Sequence, residues 1–74
     1  MLLYYENDKT NALRFYNVSI ETDLFNEPVV VRNWGRKGTH GKVKRVVCKS
    51  HGEAITAMEV LVGRKIRKGY KGFG

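Results

Sequence analysis

The most informative stretch of the 74-residue chain is Asn33-Trp34-Gly35-Arg36-Lys37-Gly38-Thr39-His40-Gly41-Lys42. It holds the only tryptophan and three of the eight glycines, and no acidic residue lies between Arg32 and Lys49. Glycine lets a backbone turn sharply and approach a partner closely. An indole beside basic side chains suits a nucleic-acid contact. A hairpin turn beside a core tryptophan accounts for the same residues.

The residues leading into this stretch alternate as a β-strand does over residues 29–36. If Val29 and Val31 point into the core, the side chains of the opposite face point outward together. These side chains are Arg32, Trp34 and Arg36. Residues 37–41 then form a hairpin turn. Residues 42–49 return as a strand whose imperfect alternation leaves its buried face undecided.

The rest of the chain predicts two more strands and one helix. The strands cover residues 2–5 and 14–22, the second with clear period-two alternation. Ser50 and Glu53 form a capping box at the helix start, and Gly69 suits a left-handed helix end. Between these ends an apolar stripe recurs at helical spacing. Its members are Ala54, Met58, Leu61, Val62 and Ile66.

These elements predict a single α+β domain over residues 1–74. A small, mostly antiparallel sheet of about four strands packs against one C-terminal amphipathic helix, which has no other surface on which to bury its stripe. The core of so short a chain is thin. We expect residues 70–74, which are rich in glycine, to form a flexible tail.

Charge is segregated along the chain, whose net charge is +7. Residues 1–31 carry two basic and five acidic side chains, whereas residues 32–74 carry twelve basic and two acidic ones. Solubility does not require this segregation, so a polyanionic partner is indicated. Four of the basic residues also lie near the C-terminus of the predicted helix, where cations interact favourably with the negative end of the helix dipole. Those residues are Arg64, Lys65, Arg67 and Lys68.

Few groups suit catalysis or the binding of a metal or cofactor. Cys48 and His51 have no third group to orient the histidine, and a lone strand cysteine is typical of a small buried hydrophobe. One cysteine and two histidines do not complete a zinc site. We expect no enzyme activity, no metal and no cofactor. A single cysteine, with neither a leader nor a membrane span in the sequence, predicts a cytoplasmic protein without membrane association.

Trp34-Gly35-Arg36, followed by Gly38 and Gly41, resembles the motif for which the WGR domain is named. Three further stretches are similar to family motifs, in order, so the resemblance covers nearly the whole chain. They are Arg14-Phe15-Tyr16, the helix start at residues 50–54, and Lys68-Gly69-Tyr70. The WGR domain is best known beside the catalytic domain of DNA-dependent poly(ADP-ribose) polymerases. The resemblance implies a small antiparallel sheet with one helix and a nucleic-acid-binding role, without room for that catalytic domain.

The resemblance also implies roles for individual residues. Trp34 would lie near the sugar of a DNA end, and Arg36 would help to couple the module to neighbouring domains. Arg14 and Tyr70 would lie near the DNA backbone. The family often has glutamine where this chain has Lys42, which adds charge at that position.

We therefore expect a nucleic-acid-binding module that favours DNA, at ends or breaks, over RNA. An aromatic ring can stack on a sugar or base, arginines can fork onto phosphates, and glycine amides can approach a phosphate. The expected contact residues are Trp34, Arg36, Arg14, Arg32, Gly38, Lys42 and Tyr70. The alternative is a protein-interaction module that docks a partner domain through Trp34 and Arg36.

Overall fold

The computed structural model describes residues 1–72 and contains one antiparallel β-sheet with one helix packed on it. In chain order the elements are β1 (Leu2–Asn7), β2 (Ala12–Thr22), β3 (Pro28–Arg36), β4 (Lys42–Val47), α1 (His51–Arg67) and β5 (Lys71–Gly72). Across the sheet the order is β4-β3-β2-β1-β5. The α+β fold expected from the sequence is confirmed, with a short fifth strand added.

Tyr70 and β5, which belong to the segment 70–74 for which we expect a flexible tail, contact the sheet. The ring of Tyr70 stacks on that of Tyr5, with the two centroids 5.2 Å apart. The two residues of β5 then pair with β1. Ring stacking and backbone pairing thus hold this segment against the sheet. Phe73 and Gly74 lie outside the described residues.

Helix α1 covers one face of the sheet, and the core lies between the two. The core residues are Leu3, Tyr16, Val18, Val30, Cys48 and Ala54. Val30 and Trp34 share this face, so the condition under which Trp34 would point outward, with Val29 and Val31 facing the core beneath the helix, is not met. Val29 and Val31 are buried on the opposite face. The helix covers the face of the sheet on which Val30 extends the apolar surface formed by β1 and β2.

The start of α1 is capped by its own side chains. The Glu53 N–H donates to Ser50 Oγ at 3.1 Å, and Glu53 Oε1 accepts the Lys49 N–H at 3.4 Å. The return bond of the predicted capping box thus reaches one residue before the cap. At 17 residues, α1 is neither long nor apolar enough to cross a membrane, and residues 1–72 contain no other helix.

The end of α1 is a Schellman turn that reverses the chain. Gly69 has a φ of +106°. The Gly69 N–H donates to the Ile66 carbonyl and the Tyr70 N–H to the Lys65 carbonyl, each at 3.0 Å. A Cβ on Gly69 would lie 3.2 Å from the Tyr5 ring. The predicted glycine cap is confirmed, and it brings Tyr70 back over the sheet beside Tyr5.

The hairpin that joins β3 to β4 depends on two glycines that lie against each other. A Cβ on Gly35 would lie 2.8 Å from the Cα of Gly41, and one on Gly41 would lie 2.8 Å from Phe15 Cζ and overlap the Trp34 carbonyl. The Phe15 ring of β2 thus takes the space that side chains would need. Gly38, by contrast, has nothing within 4 Å of its Cβ position, and it serves the turn through a φ of +91°.

This difference predicts a ranked pair of substitutions. Gly38→Ala strains only the backbone, at a cost of about 1–2 kcal/mol. Gly41→Ala adds a collision to a φ of +71°, so it should lower the free energy of unfolding by about a further 1–3 kcal/mol. Urea denaturation followed by far-UV circular dichroism measures both. Equal losses for the two variants would contradict the close packing at Gly41.

Candidate nucleic-acid interface

The two aromatic and arginine motifs of the sequence are direct neighbours in the sheet. Residues 14–16 of β2 pair in reverse order with residues 34–36 of β3: Arg14 with Arg36, Phe15 with Gly35, and Tyr16 with Trp34. The Lys37 N–H donates to the Leu13 carbonyl at 2.8 Å, which places the ladder hydrogen bonds at odd positions. The arginine pair is therefore a non-hydrogen-bonded pair, the type in which facing side chains come closest.

Side chains of α1 join these arginines above the sheet. Two adjoining pockets of about 390 and 300 Å³ share Trp34 and Lys65, and we call the two together the basic cleft. Its lining includes six cations: Arg14, Arg32, Arg36, Arg64, Lys65 and Lys68. None of its lining residues is acidic. The ion pairs found within residues 1–72, Lys37–Glu6 and Arg45–Glu21, leave these six cations unpaired with carboxylates.

Like charges lie close together in the basic cleft, and two observations indicate that they repel one another: the facing of Arg14 and Arg36 and the lowered pKa of Lys65. Like charges directly opposite each other across two strands destabilise a sheet, and Arg14 faces Arg36 in this way. Burial lowers the pKa of Lys65, and the neighbouring charges of Lys68, Arg14 and Arg32 lower it further. Positive charge that the fold itself leaves unneutralised attracts an anion.

Aromatic rings contact two of the six cations of the cleft, Arg32 and Lys65. The Arg32 guanidinium lies 5.5 Å from the centroid of the Trp34 ring. The Lys65 ammonium lies 4.9 Å from the Tyr16 ring centroid and 5.2 Å from that of Tyr70. Cation–π contacts at these distances are attractive. They hold the charges in place while leaving their hydrogen-bond donors available to a ligand.

Trp34 belongs to the core and to the basic cleft at once. It is half-buried, it packs against the core cluster, and it lines both pockets of the cleft. Core packing of this indole therefore does not exclude the contact that the sequence predicts for it. One part of the ring supports the fold, and another part faces the cleft.

Five of the seven predicted contact residues line the basic cleft: Trp34, Arg36, Arg14, Arg32 and Tyr70. Gly38 and Lys42 are not in its lining. Gly38 lies exposed in the hairpin turn, and Lys42 lies exposed on β4, opposite Trp34 in the ladder. Asn11, whose φ is 52°, turns the chain beside the cleft and lines it.

Three cations of the cleft are absent from the predicted contact residues, and the sequence offers the helix dipole as one explanation for them: Arg64, Lys65 and Lys68. Their spacing contains a signal that points to the cleft. Leu61 lies on the buried stripe of α1, and these residues follow it by three, four and seven positions. They therefore continue the face that packs on the sheet. A stripe that changes from apolar to basic while it still faces the sheet indicates a charged cavity.

The two residues considered for catalysis in the sequence differ in their exposure. Cys48 is buried in the core, and His51 lies exposed in the first turn of α1. Within the same residues, no three His, Cys, Asp or Glu side chains come together in a group that could hold a metal ion. The chemistry available in the basic cleft is that of binding: cations, aromatic rings and hydrogen-bond donors.

Comparison with known proteins agrees with the sequence motifs. A sequence model described as the WGR domain matches residues 1–73. The chain is also 33% identical over 61 residues to an uncharacterized protein, y4dW, of Sinorhizobium fredii (strain NBRC 101917 / NGR234). That match covers 82% of this chain but only 30% of the relative. No solved structure matches the chain significantly.

The family match extends over every element described above, from β1 to β5. It includes both motifs that pair across β2 and β3, and the helix that completes the basic cleft. The chain belongs to the WGR domain family, a family of nucleic-acid-binding modules that are not catalytic by themselves.

Proposed function

We propose that the basic cleft binds DNA and favours strand ends or breaks. The observation that carries this proposal is the facing pair Arg14 and Arg36, with Lys65 above them and no carboxylate in the lining. Such a cluster costs stability in the free protein, and a bound polyanion removes that cost. Nucleic-acid phosphates are the polyanion that the family match favours.

Phosphate recognition rests on the arginines of the sheet. A guanidinium presents donors in a planar fork that matches two phosphate oxygens. Arg14 and Arg36 project from adjacent strands into one pocket, so a single phosphate, or two successive ones, can engage both. Lys65 adds a point charge from the helix side. Its lowered pKa rises again when a negative charge arrives, since an opposite charge favours the ammonium form.

The preference for an end rests on the position of Trp34. Its ring is half-buried at the junction of two pockets, beneath α1. A sugar or base at the end of a strand can enter such a recess, whereas an uninterrupted duplex backbone passes over it. Stacking of this kind contributes about 1–3 kcal/mol per base. The family resemblance supports the same contact.

The alternative function is the docking of a partner domain through Trp34 and Arg36. A protein anchor buries most of an aromatic ring against its partner, and Trp34 already gives part of its ring to the core. We therefore favour DNA. A competition assay with RNA and a pull-down after nuclease digestion separate the three classes of partner.

The first prediction concerns Arg36, with Arg67 as the matched control because it is exposed and outside the lining of the cleft. Arg36→Gln should weaken binding of a fluorescein-labelled blunt duplex about tenfold or more, since a charged hydrogen bond is worth about 1.5–3 kcal/mol. The slope of log affinity against log salt should fall by about 0.9 for each lost phosphate contact. Arg67→Gln should change affinity less than about twofold. Equal effects would mean that only net charge matters.

The second prediction concerns the form of the DNA. A hairpin duplex with one free end should bind about tenfold more tightly than a closed dumbbell of the same base pairs, because only the hairpin offers a terminal sugar to Trp34. Fluorescence anisotropy at 150 mM salt measures both affinities. The indole emission of the single tryptophan should change with the hairpin and not with the dumbbell. Equal affinities would leave DNA binding in place and remove the preference for ends.

The third prediction separates stability from binding at Lys65. Its folded-state pKa lies below its ordinary value of 10.5, so the unfolded chain holds more protons between the two values and stability rises with pH through that interval. Lys65→Met should therefore raise the melting temperature at pH 7 and lower DNA affinity. The stability difference should shrink as pH rises through that interval and disappear above 10.5, as the lysine becomes neutral in both states. A variant less stable than the natural chain at pH 7 would contradict this account.

A further inference from the structure

The turn between β2 and β3 carries the two most exposed large apolar side chains of residues 1–72. Leu24 is 100% exposed and Phe25 is 82% exposed, and we call these two residues the apolar tip. Exposed apolar side chains that are scattered singly are ordinary in a folded protein. Two adjacent ones at the end of a hairpin offer a partner apolar area to bury.

Hydrogen bonds hold the apolar tip in one arrangement. The Asp23 carboxylate accepts the Phe25 N–H at 2.9 Å and the Glu27 N–H at 2.8 Å. The Asp23 N–H donates to the Glu27 carbonyl at 2.9 Å. Asn26 reverses the chain with a φ of 63°, a conformation that asparagine tolerates. A loop that is ordered before it binds loses less conformational entropy on binding.

Negative charge surrounds the apolar tip. No lysine or arginine occurs among residues 15–31. Asp23 and Glu27 flank the tip, and neither takes part in the ion pairs found within residues 1–72. Glu21 adds less to this charge, because its carboxylate lies 3.3 Å from Arg45. Carboxylates beside the tip repel DNA phosphates and anionic lipids, and they favour an apolar recess with cations beside it.

The chain itself carries a recess of that kind, between the outer edge of β4 and the neighbouring flank of α1. We call it the edge groove, and its apolar lining residues are Val30, Val46, Cys48, Ala57, Val60 and Leu61. Val46 and Val60 are 44% and 47% exposed, so the groove is open to solvent. It adjoins the basic cleft, with which it shares Arg32 and Leu61.

Three cations lie at the end of the edge groove that adjoins the basic cleft. Arg32 lines the groove, and Lys44 lies opposite Arg32 in the β3–β4 ladder, on the same face of the sheet. Arg64 follows Val60 by four positions, so it lies on the same flank of α1. No carboxylate lines the groove or pairs with these cations within residues 1–72. Apolar side chains therefore lie beside unpaired positive charge, which complements the apolar tip.

We propose that this chain associates with a second copy of itself, and that the apolar tip of one copy enters the edge groove of the other. The carboxylates that flank the tip then lie beside the cations of the groove. Contact between two tips would oppose carboxylates, and contact between two grooves would oppose cations, so both are disfavoured. The tip and the groove are different surfaces, and the contact is therefore heterologous. It does not depend on DNA.

The first test measures association without DNA, because the edge groove shares residues with the basic cleft. Sedimentation velocity is recorded from about 10 µM to 1 mM, a range that covers weak association. At 150 mM salt the repulsion between net charges is screened beyond about 8 Å. The sedimentation coefficient of the natural chain should rise with concentration. A monomer throughout this range would overturn the proposal.

Exposed side chains supply matched variants for the same assay. Phe25→Ser should weaken association about tenfold or more, because it removes the ring of the apolar tip. Ile66→Ser removes an apolar side chain that is 52% exposed and outside both the tip and the groove lining, so it should weaken association less than about twofold. Equal losses would show that association follows general surface hydrophobicity, and would overturn a role for the tip.

The edge groove is tested in the same way on α1. Val60→Glu should weaken association about tenfold or more, since it places a carboxylate where the carboxylates of the tip arrive. Ile55→Glu changes the net charge identically at a side chain that is 41% exposed and outside the groove lining. It should weaken association less than about threefold. If the two variants lose association equally, net charge governs it and the groove has no role.

A mixture of two variants gives the sharpest test. The Phe25→Ser variant keeps its groove and the Val60→Glu variant keeps its tip, so the two together should associate at least about tenfold more tightly than either does alone. If the mixture associates no better than the separate variants, the tip of one copy does not enter the groove of another, and the proposal is wrong.

NMR on the same mixture locates the contact. With 15N in the Phe25→Ser variant, the amide signals of Val46 and Ala57 should shift most. With 15N in the Val60→Glu variant, the signal of Leu24 should shift most. Shifts that instead centre on Arg14 and Arg36 would place the tip in the basic cleft and overturn the assignment.

Discussion

The structure depends on the pairing of residues 14–16 with residues 34–36. This short contact determines how β2 and β3 register, because Phe15 has room for its ring only opposite Gly35 and beside Gly41. A shift by one residue would move every side chain of the strand to the other face. The same register places Tyr16 beside Trp34 under the helix. Close packing on one face of the sheet thereby determines which side chains meet on the other.

The register also brings like charges together, and contacts elsewhere in the molecule offset part of their repulsion. It sets Arg14 opposite Arg36, and the Schellman turn at Gly69 holds Lys65 and Tyr70 above them. Cation–π contacts offset part of the repulsion, and the apolar core beneath α1 supplies stability that the cleft does not. A domain of this size has little stability to spare. A cluster that costs stability and persists in so small a fold is more readily explained by binding than by folding.

Much of this fold can be predicted from the sequence because the local signals agree with one another. Period-two alternation identifies β2, and Ser50 with Glu53 marks the start of α1. The face of β3 cannot be predicted in this way. Three consecutive valines, from Val29 to Val31, give both faces the same apolar side chain, and only the position of the helix distinguishes them. β5 cannot be predicted from the sequence, because a strand of two residues is too short to show a period. Its pairing with β1 depends on the tertiary fold.

The residues of the candidate site also differ in how far the sequence predicts them. Its sheet residues are recognisable because Trp34 and Arg36 lie in a distinctive motif, and the resemblance adds Arg14 and Tyr70. Its helix residues are obscured because a cation near a helix C-terminus already has a sufficient explanation in the helix dipole. Gly38 and Lys42 stay predicted contacts outside the cleft. They are adjacent to the motif in sequence, but the hairpin carries them away from the recess in which Trp34 and Lys65 meet.

The pairing of β1 with β5 makes Leu3 a cross-strand neighbour of Gly72. The chain therefore enters and leaves the described fold at adjacent points on one edge of the sheet, while β4 lies at the other edge. Domains whose ends lie close together tolerate insertion and circular permutation. A longer polypeptide can carry such a module as a side branch, with its flanking segments meeting at the β1–β5 edge. The strand edge at β4 and the basic cleft under α1 then remain open to solvent.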